Sequence, residues 1–331
     1  MMDIELARMK VYVTRRIPEP GISPLEEQFD VVLRKAEGPV GKQELLENVR
    51  GVDGLLCLLT DPVDAAVIAA AENLVCISNY AVGYNNIDVK AATERGIVVT
   101  NTPGVLTETT ADFAFALLMA AARRIVEADG FVRAGKFTGW DPMLMLGSDI
   151  HGKTLGIIGF GKIGRALARR ASGFEMKVLY HDSVRASDSD EDSLGVVFSS
   201  LQDVFAQSDF VSLHVPLVEE TRHLVGTEQL KMMKPTAILI NTSRGPVVDE
   251  QALAEALRDG SIAAAGLDVF EDEPEINPLL ASLPNVILAP HIASASLETR
   301  SLMAKLAAEN LIAALCGDRP KFVVNPEVFG Q

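Results

Sequence analysis

Residues 154–164, Thr154-Leu-Gly-Ile-Ile-Gly159-Phe-Gly161-Lys-Ile-Gly164, carry a G-x-G-x-x-G pattern at the end of an apolar run. Between a strand and a helix the three glycines have separate tasks. Gly159 permits the tight turn, Gly161 lets the backbone approach a pyrophosphate, and Gly164 lets helix and strand pack closely. The free N–H groups where the helix starts can then hold phosphates. The next apolar run ends in Asp182, about 20 positions on, where a carboxylate accepts from an adenosine 2′-hydroxyl and repels a 2′-phosphate. This favours NAD over NADP, although Arg185 lies close enough in sequence to blur the preference.

A second group of residues follows three later apolar runs. Residues 237–241 lead into Thr242-Ser243-Arg244-Gly245, 264–268 into Val269-Phe270-Glu271-Asp272-Glu273-Pro274, and 286–289 into Pro290-His291. Arginine offers a planar fork suited to a carboxylate. Histidine is an acid/base near neutral pH, and a carboxylate beside it stabilises the imidazolium. Singly, each has an ordinary explanation: a surface ion pair, a solvated acidic loop, a structural histidine. Together, at one expected sheet edge, they supply what hydride transfer between a nicotinamide and a small 2-oxo or 2-hydroxy acid requires. These are a cation for the carboxylate, a proton donor for the alkoxide and a partner for that donor.

Those residues need parallel strands whose carboxyl ends share an edge. Short β-branched runs alternate with helical patterns throughout, so the expectation is an α/β chain with helix-covered parallel sheets. Expected strands are 10–14, 30–33, 54–59, 75–78 and 98–100, then 155–159, 177–181, 210–215, 237–241, 264–268 and 286–289. Helices are expected over 42–48, 107–125, 162–171, 250–258 and 297–314, with 187–193 a solvated acidic, serine-rich loop. The turn Asn101-Thr102-Pro103-Gly104 divides two halves. The pattern predicts a domain of residues 107–293 inserted within another made of 1–106 and 294–331. With 331 residues and 48% hydrophobic content there is material for two cores. A formal charge of −15 argues against nucleic acid or an anionic membrane as partner. Three scattered cysteines form neither metal spacing nor disulfide framework, and residues 1–10 lack an apolar signal core. The expected setting is therefore the cytoplasm, with no metal.

The segments 154–164, Asn241-Thr-Ser-Arg-Gly245, Gly266-Leu-Asp-Val-Phe-Glu-Asp-Glu-Pro274 and Pro290-His291 resemble the D-isomer-specific 2-hydroxy acid dehydrogenases. Residues 79–88, 100–108 and 139–147 are most similar to the glyoxylate and hydroxypyruvate reductases within that family. The resemblance implies a Rossmann NAD-binding domain inserted into a flavodoxin-like substrate domain. It makes Arg244 the substrate arginine, His291 the acid/base and Glu273 its partner, with the Val82 and Gly83 amides on the substrate carboxylate. It places Thr110, Phe160, Lys162, Ile163, His214, Val215, Pro216, Thr242, Ser243 and Asp268 along the cofactor. It also implies a homodimer in which Trp140 reaches the partner's active site. Ala293 departs from the glycine many relatives carry there. The family leaves phosphite, phosphoglycerate and D-lactate oxidation open, and also an NAD-sensing corepressor. Glu273 speaks against its formate enzymes, which place glutamine there.

Overall fold

The computed structural model describes residues 8–330. Of the amino-terminal stretch read above for a signal, residues 1–7 lie outside the described residues. The chain divides into two compact units. One comprises the described residues up to Leu106 together with those from Ala295 onward, and the other is Thr107–Ser294.

The first unit is built on β1 (Lys10–Val13), β2 (Asp30–Leu33), β3 (Gly54–Cys57), β4 (Cys76–Asn79) and β5 (Val98–Thr100). They pair in the order β2-β1-β3-β4-β5, every pair parallel, which is the flavodoxin-like order. β3 and β4 are buried along their whole length, so their sequences read as continuous rather than alternating apolar runs. The helix Leu297–Leu315 packs on this sheet through Met303, Ala304, Ala307, Ala308 and Leu311. Small residues there let the helix approach closely, and Ser78 Oγ donates to the Ala307 carbonyl at 2.8 Å.

The second unit contains β6 (Thr154–Ile158), β7 (Lys177–His181), β8 (Val196–Phe198), β9 (Phe210–Leu213), β10 (Ile238–Asn241), β11 (Ala264–Leu267) and β12 (Val286–Leu288). Their order is β12-β11-β10-β9-β6-β7-β8, again wholly parallel. This is the doubly wound dinucleotide-binding order with one added strand, and its direction reverses between β6 and β9. The expected α/β class with two parallel sheets is therefore what the chain forms. The helix Thr107–Ala122 lies on this sheet, burying Ala111, Ala114, Leu117 and Leu118. An added Cβ on Gly266 of β11 would meet the Leu117 side chain at 3.2 Å, so the strand's glycine admits the helix.

Three local expectations change. The helix expected over 107–125 ends at Ala122; Arg124 takes φ 53°, and a separate helix, Ile125–Arg133, follows. β8 was not anticipated. The supposed loop 187–193 is the helix Asp188–Leu194, capped by Ser187, whose side chain accepts from the Asp190 amide. Gly195 in the left-handed region ends it, and its acids crowd the first turn, where the helix dipole favours them. Among the described residues no helix is long and apolar enough to cross a membrane.

Candidate active site

The glycine loop joins β6 to the helix Lys162–Ser172 at the point where strand order reverses. Gly159 has φ +91°, and a Cβ there would lie 2.6 Å from the His214 carbonyl carbon. A Cβ on Gly164 would lie 2.3 Å from the Gly159 oxygen, whereas one on Gly161 would meet nothing. Two glycines thus close the turn, and the third keeps open space above the helix start. The amides of Lys162, Ile163 and Gly164, in the first helical turn, face this space without intrahelical acceptors. Asp182 closes the loop from β7 by accepting from the Phe160 amide at 2.6 Å. Phe160 itself stacks on Tyr180, with ring centroids 4.0 Å apart.

The same edge of β9 carries His214, Val215 and Pro216. His214 Nε2 lies 2.9 Å from Ser212 Oγ, and burial pulls the imidazole down to about 4, so it is neutral near pH 7. Thr242 and Ser243 follow β10. The Thr242 hydroxyl is buried and has no hydrogen-bond partner among the described residues. A dinucleotide reaching along this edge would give it one. Thr110 is buried on the helix Thr107–Ala122 of the same unit. The loop's free amides, the open space at Gly161 and the orphaned Thr242 hydroxyl all fit a bound dinucleotide.

The ends of β10, β11 and β12, three neighbouring strands, carry Arg244, Glu273 and His291. His291 Nδ1 and Glu273 Oε2 are 2.9 Å apart. Burial pushes the Glu273 carboxyl up, but the hydrogen bond and charge of His291, the Phe270 amide and Arg244 outweigh it, holding the group below its ordinary value. An ionised Glu273 only accepts, so Nδ1 carries a proton and Nε2 is left to exchange one. Burial lowers the Arg244 guanidinium, opposed by the charge of Glu273, yet arginine remains cationic. The adjoining Gly245 admits no side chain: a Cβ would lie 1.8 Å from the Phe270 oxygen. The loops that carry Arg244 and Glu273 are thereby pressed together.

Asp268 is fully buried, and its two oxygens accept from the Ile292 and Ala293 amides at 2.7 Å each. Burial raises its carboxyl, and those amides oppose the shift. His291 takes φ 56°, and its amide donates to the Asp268 carbonyl at 2.9 Å. The left-handed turn that aims the imidazole is thus held by Asp268, a contact the sequence motif does not disclose. Asn241 was also missed. Its side chain accepts from the Ser243 amide at 3.0 Å and donates to the Arg244 carbonyl at 2.9 Å.

In the first unit, the Val82 and Gly83 carbonyls accept from Asn101 and Asn79, each at 2.8 Å. Their amides donate to no group among the described residues. Trp140 belongs to the second unit and is 85% exposed.

Residues 115–293 match the family model described as D-isomer specific 2-hydroxyacid dehydrogenase, NAD binding domain. A glyoxylate reductase of Korarchaeum cryptofilum is 61% identical over 322 residues, covering 96% of each chain. The crystal structure of a glyoxylate reductase from Paecilomyes thermophila aligns with a TM-score of 0.86 at 34% identity, over 97% of this chain and 99% of that one. An NADPH-dependent glyoxylate/hydroxypyruvate reductase from Sinorhizobium meliloti, solved with citrate, aligns at 0.83 with 36% identity, over 96% and 98%. Strand order, the loop at the reversal point and full-length similarity agree, and the chain belongs to the D-isomer specific 2-hydroxyacid dehydrogenases.

Proposed function

We propose that this oxidoreductase reduces glyoxylate or hydroxypyruvate to the 2-hydroxy acid, the D isomer where a stereocentre forms, with NADH as the preferred cofactor. The observation that carries the reading is the Glu273–His291 pair on the strand edge that also holds Arg244. Similarity to reductases of these two oxo acids supports the substrate class.

A bound reduced nicotinamide supplies the hydride. Arg244 grips the substrate carboxylate and polarises the carbonyl, and its charge stabilises the alkoxide that develops. His291 delivers a proton to that oxygen from Nε2, while Glu273 fixes the ring through Nδ1 and stabilises the imidazolium before transfer. On the first unit, the free Val82 and Gly83 amides are donors suited to a carboxylate. Thr110, the loop 159–164, His214 to Pro216, Thr242 and Ser243 are assigned to the cofactor. Asp182 is assigned to its ribose and Asp268 to its nicotinamide end.

We extend the reading to a cytoplasmic homodimer formed by the dinucleotide-binding unit. The helix Ile125–Arg133 buries none of its residues, and Ile125, Val126, Val132, Phe137, Trp140 and Met143 are all exposed. A cavity of about 560 Å³ is lined by Val126 of this helix with Ala121, Leu146, Pro284 and Ile287. Exposed apolar side chains clustered in one segment of the sequence suit a protein partner. Trp140 is assigned to the partner's substrate site.

His291→Ala tests the mechanism: kcat should fall ~10²–10⁴-fold while the NADH dissociation constant stays within a few-fold. Equal losses in both would remove His291 from the chemistry.

A further inference from the structure

The helix Asp188–Leu194 follows the strand after which Asp182 stands, and it turns three of its carboxylates onto two arginines. Glu191 accepts from Arg185 Nε at 2.9 Å and Nη2 at 2.7 Å, a two-pronged pair. Its side chain is only 11% exposed, against 56% for Arg185. The Tyr180 hydroxyl donates to the same carboxylate at 2.5 Å and accepts from the Ala186 amide at 2.9 Å, so Glu191 has an anchor besides the arginine. Asp188 stands 3.7 Å from Arg185 Nη2, and the guanidinium lies 5.8 Å from the Phe198 ring centre. The adjoining Asp190 pairs with Arg165 at 2.8 Å, beside the glycine loop that Arg165 also touches through the Phe160 carbonyl.

Arg185 is three residues beyond Asp182, the residue assigned to the adenosine ribose. An unpaired guanidinium there would attract a 2′-phosphate, since bidentate arginine–phosphate pairs are among the stronger protein contacts. We propose that Glu191 determines cofactor choice by occupying the fork and cancelling the charge of Arg185, so that this chain discriminates against NADPH. A 2′-phosphate arriving at this corner meets an arginine already neutralised and the carboxylates of Asp182 and Asp188. Specificity of this kind comes from repelling the wrong ligand as much as from holding the right one. Glu191 is thus a positioning residue acting through Arg185. Ionisation keeps it in place: the hydrogen bonds from Arg185 and Tyr180 bring its carboxyl down to about 2. The proposal rests on the assignment of this unit to a nicotinamide dinucleotide, and a solved relative that is NADPH-dependent shows that a chain of this fold can take the phosphorylated cofactor.

The test compares NADH and NADPH dissociation constants, read from nicotinamide fluorescence, for the unaltered protein and two variants. Glu191→Gln keeps the size and an acceptor for Tyr180 but frees the charge of Arg185. It should tighten NADPH ~10-fold or more and leave NADH within ~3-fold, the range of one charge-assisted contact. Adding Arg185→Ala should abolish that gain. Competition by 2′,5′-ADP against NADH should strengthen in the single variant and weaken again in the double one. A Glu191→Gln protein that loses both cofactors together, with a lower melting temperature, would make Glu191 merely structural and overturn the proposal. An unaltered protein that already prefers NADPH would overturn it too, leaving the oxo-acid reaction standing. An unaltered protein that binds neither dinucleotide would overturn the reading beneath it.

Discussion

At the scale of single residues, the decisive groups are few and each is held by something other than its own motif. His291 adopts a left-handed backbone, uncommon for a residue with a Cβ, because Asp268 takes the two amides that follow it. Asp268→Asn would replace one acceptor by an NH2 facing an N–H. It should cost about 1–3 kcal/mol of stability and lower kcat by roughly tenfold or more through a displaced imidazole. Urea unfolding and steady-state kinetics check this; full activity would mean that Asp268 does not aim His291. Glu273→Gln preserves the hydrogen-bond geometry but removes the charge behind the imidazolium. It should reduce kcat/KM by ~10²-fold or more with little change in NADH affinity. An unchanged kcat/KM would separate Glu273 from the proton donor. That Arg244, Glu273 and His291 fall at the ends of neighbouring strands was legible in the sequence, because each lies in the segment that follows an apolar run. Asn241, Asp268 in its turn-holding role and Glu191 were not. Their partners are backbone groups and an arginine on the loop before the helix, fixed only once helices and loops are placed.

At the scale of elements, two glycines of similar appearance carry opposite consequences. Gly245→Ala would drive a methyl into the Phe270 carbonyl, 1.8 Å away, so the variant should fail to fold or melt far below the unaltered protein. Gly161→Ala meets no protein atom and keeps φ at −72°. Its ligand-free melting temperature should hold, while NADH affinity falls about tenfold because the methyl stands where the pyrophosphate approaches. Equal affinity in that variant would move the cofactor off the loop. Strands longer than three residues were readable from apolar runs to within a residue or two. Of the three-residue strands, β5 and β12 were also readable and β8 was not. The helix Asp188–Leu194 was misread because its composition is that of a solvated loop. The signals that counted were its ends: Ser187 as cap and Gly195 as stop.

At the scale of the whole molecule, acid should weaken the fold. Glu191 and Glu273 are held below the ordinary glutamate value of 4.5, so the folded chain binds fewer protons than the unfolded chain. Their stabilisation is fully present above that value and is lost as pH falls through the native values, about 2 for Glu191. Glu250 and Asp268, raised by burial, act in the opposite sense and blunt the loss. The urea midpoint should therefore drop between about pH 5 and pH 2, and a flat profile would contradict the assigned ionisations. The central claim is tested most directly by following nicotinamide absorbance on the purified protein. Glyoxylate, hydroxypyruvate and pyruvate would be offered with NADH and NADPH, and phosphite with NAD. The account predicts rapid NADH oxidation with glyoxylate or hydroxypyruvate and slower turnover with NADPH. Silence with every oxo acid, or turnover confined to phosphite and NAD, would contradict it.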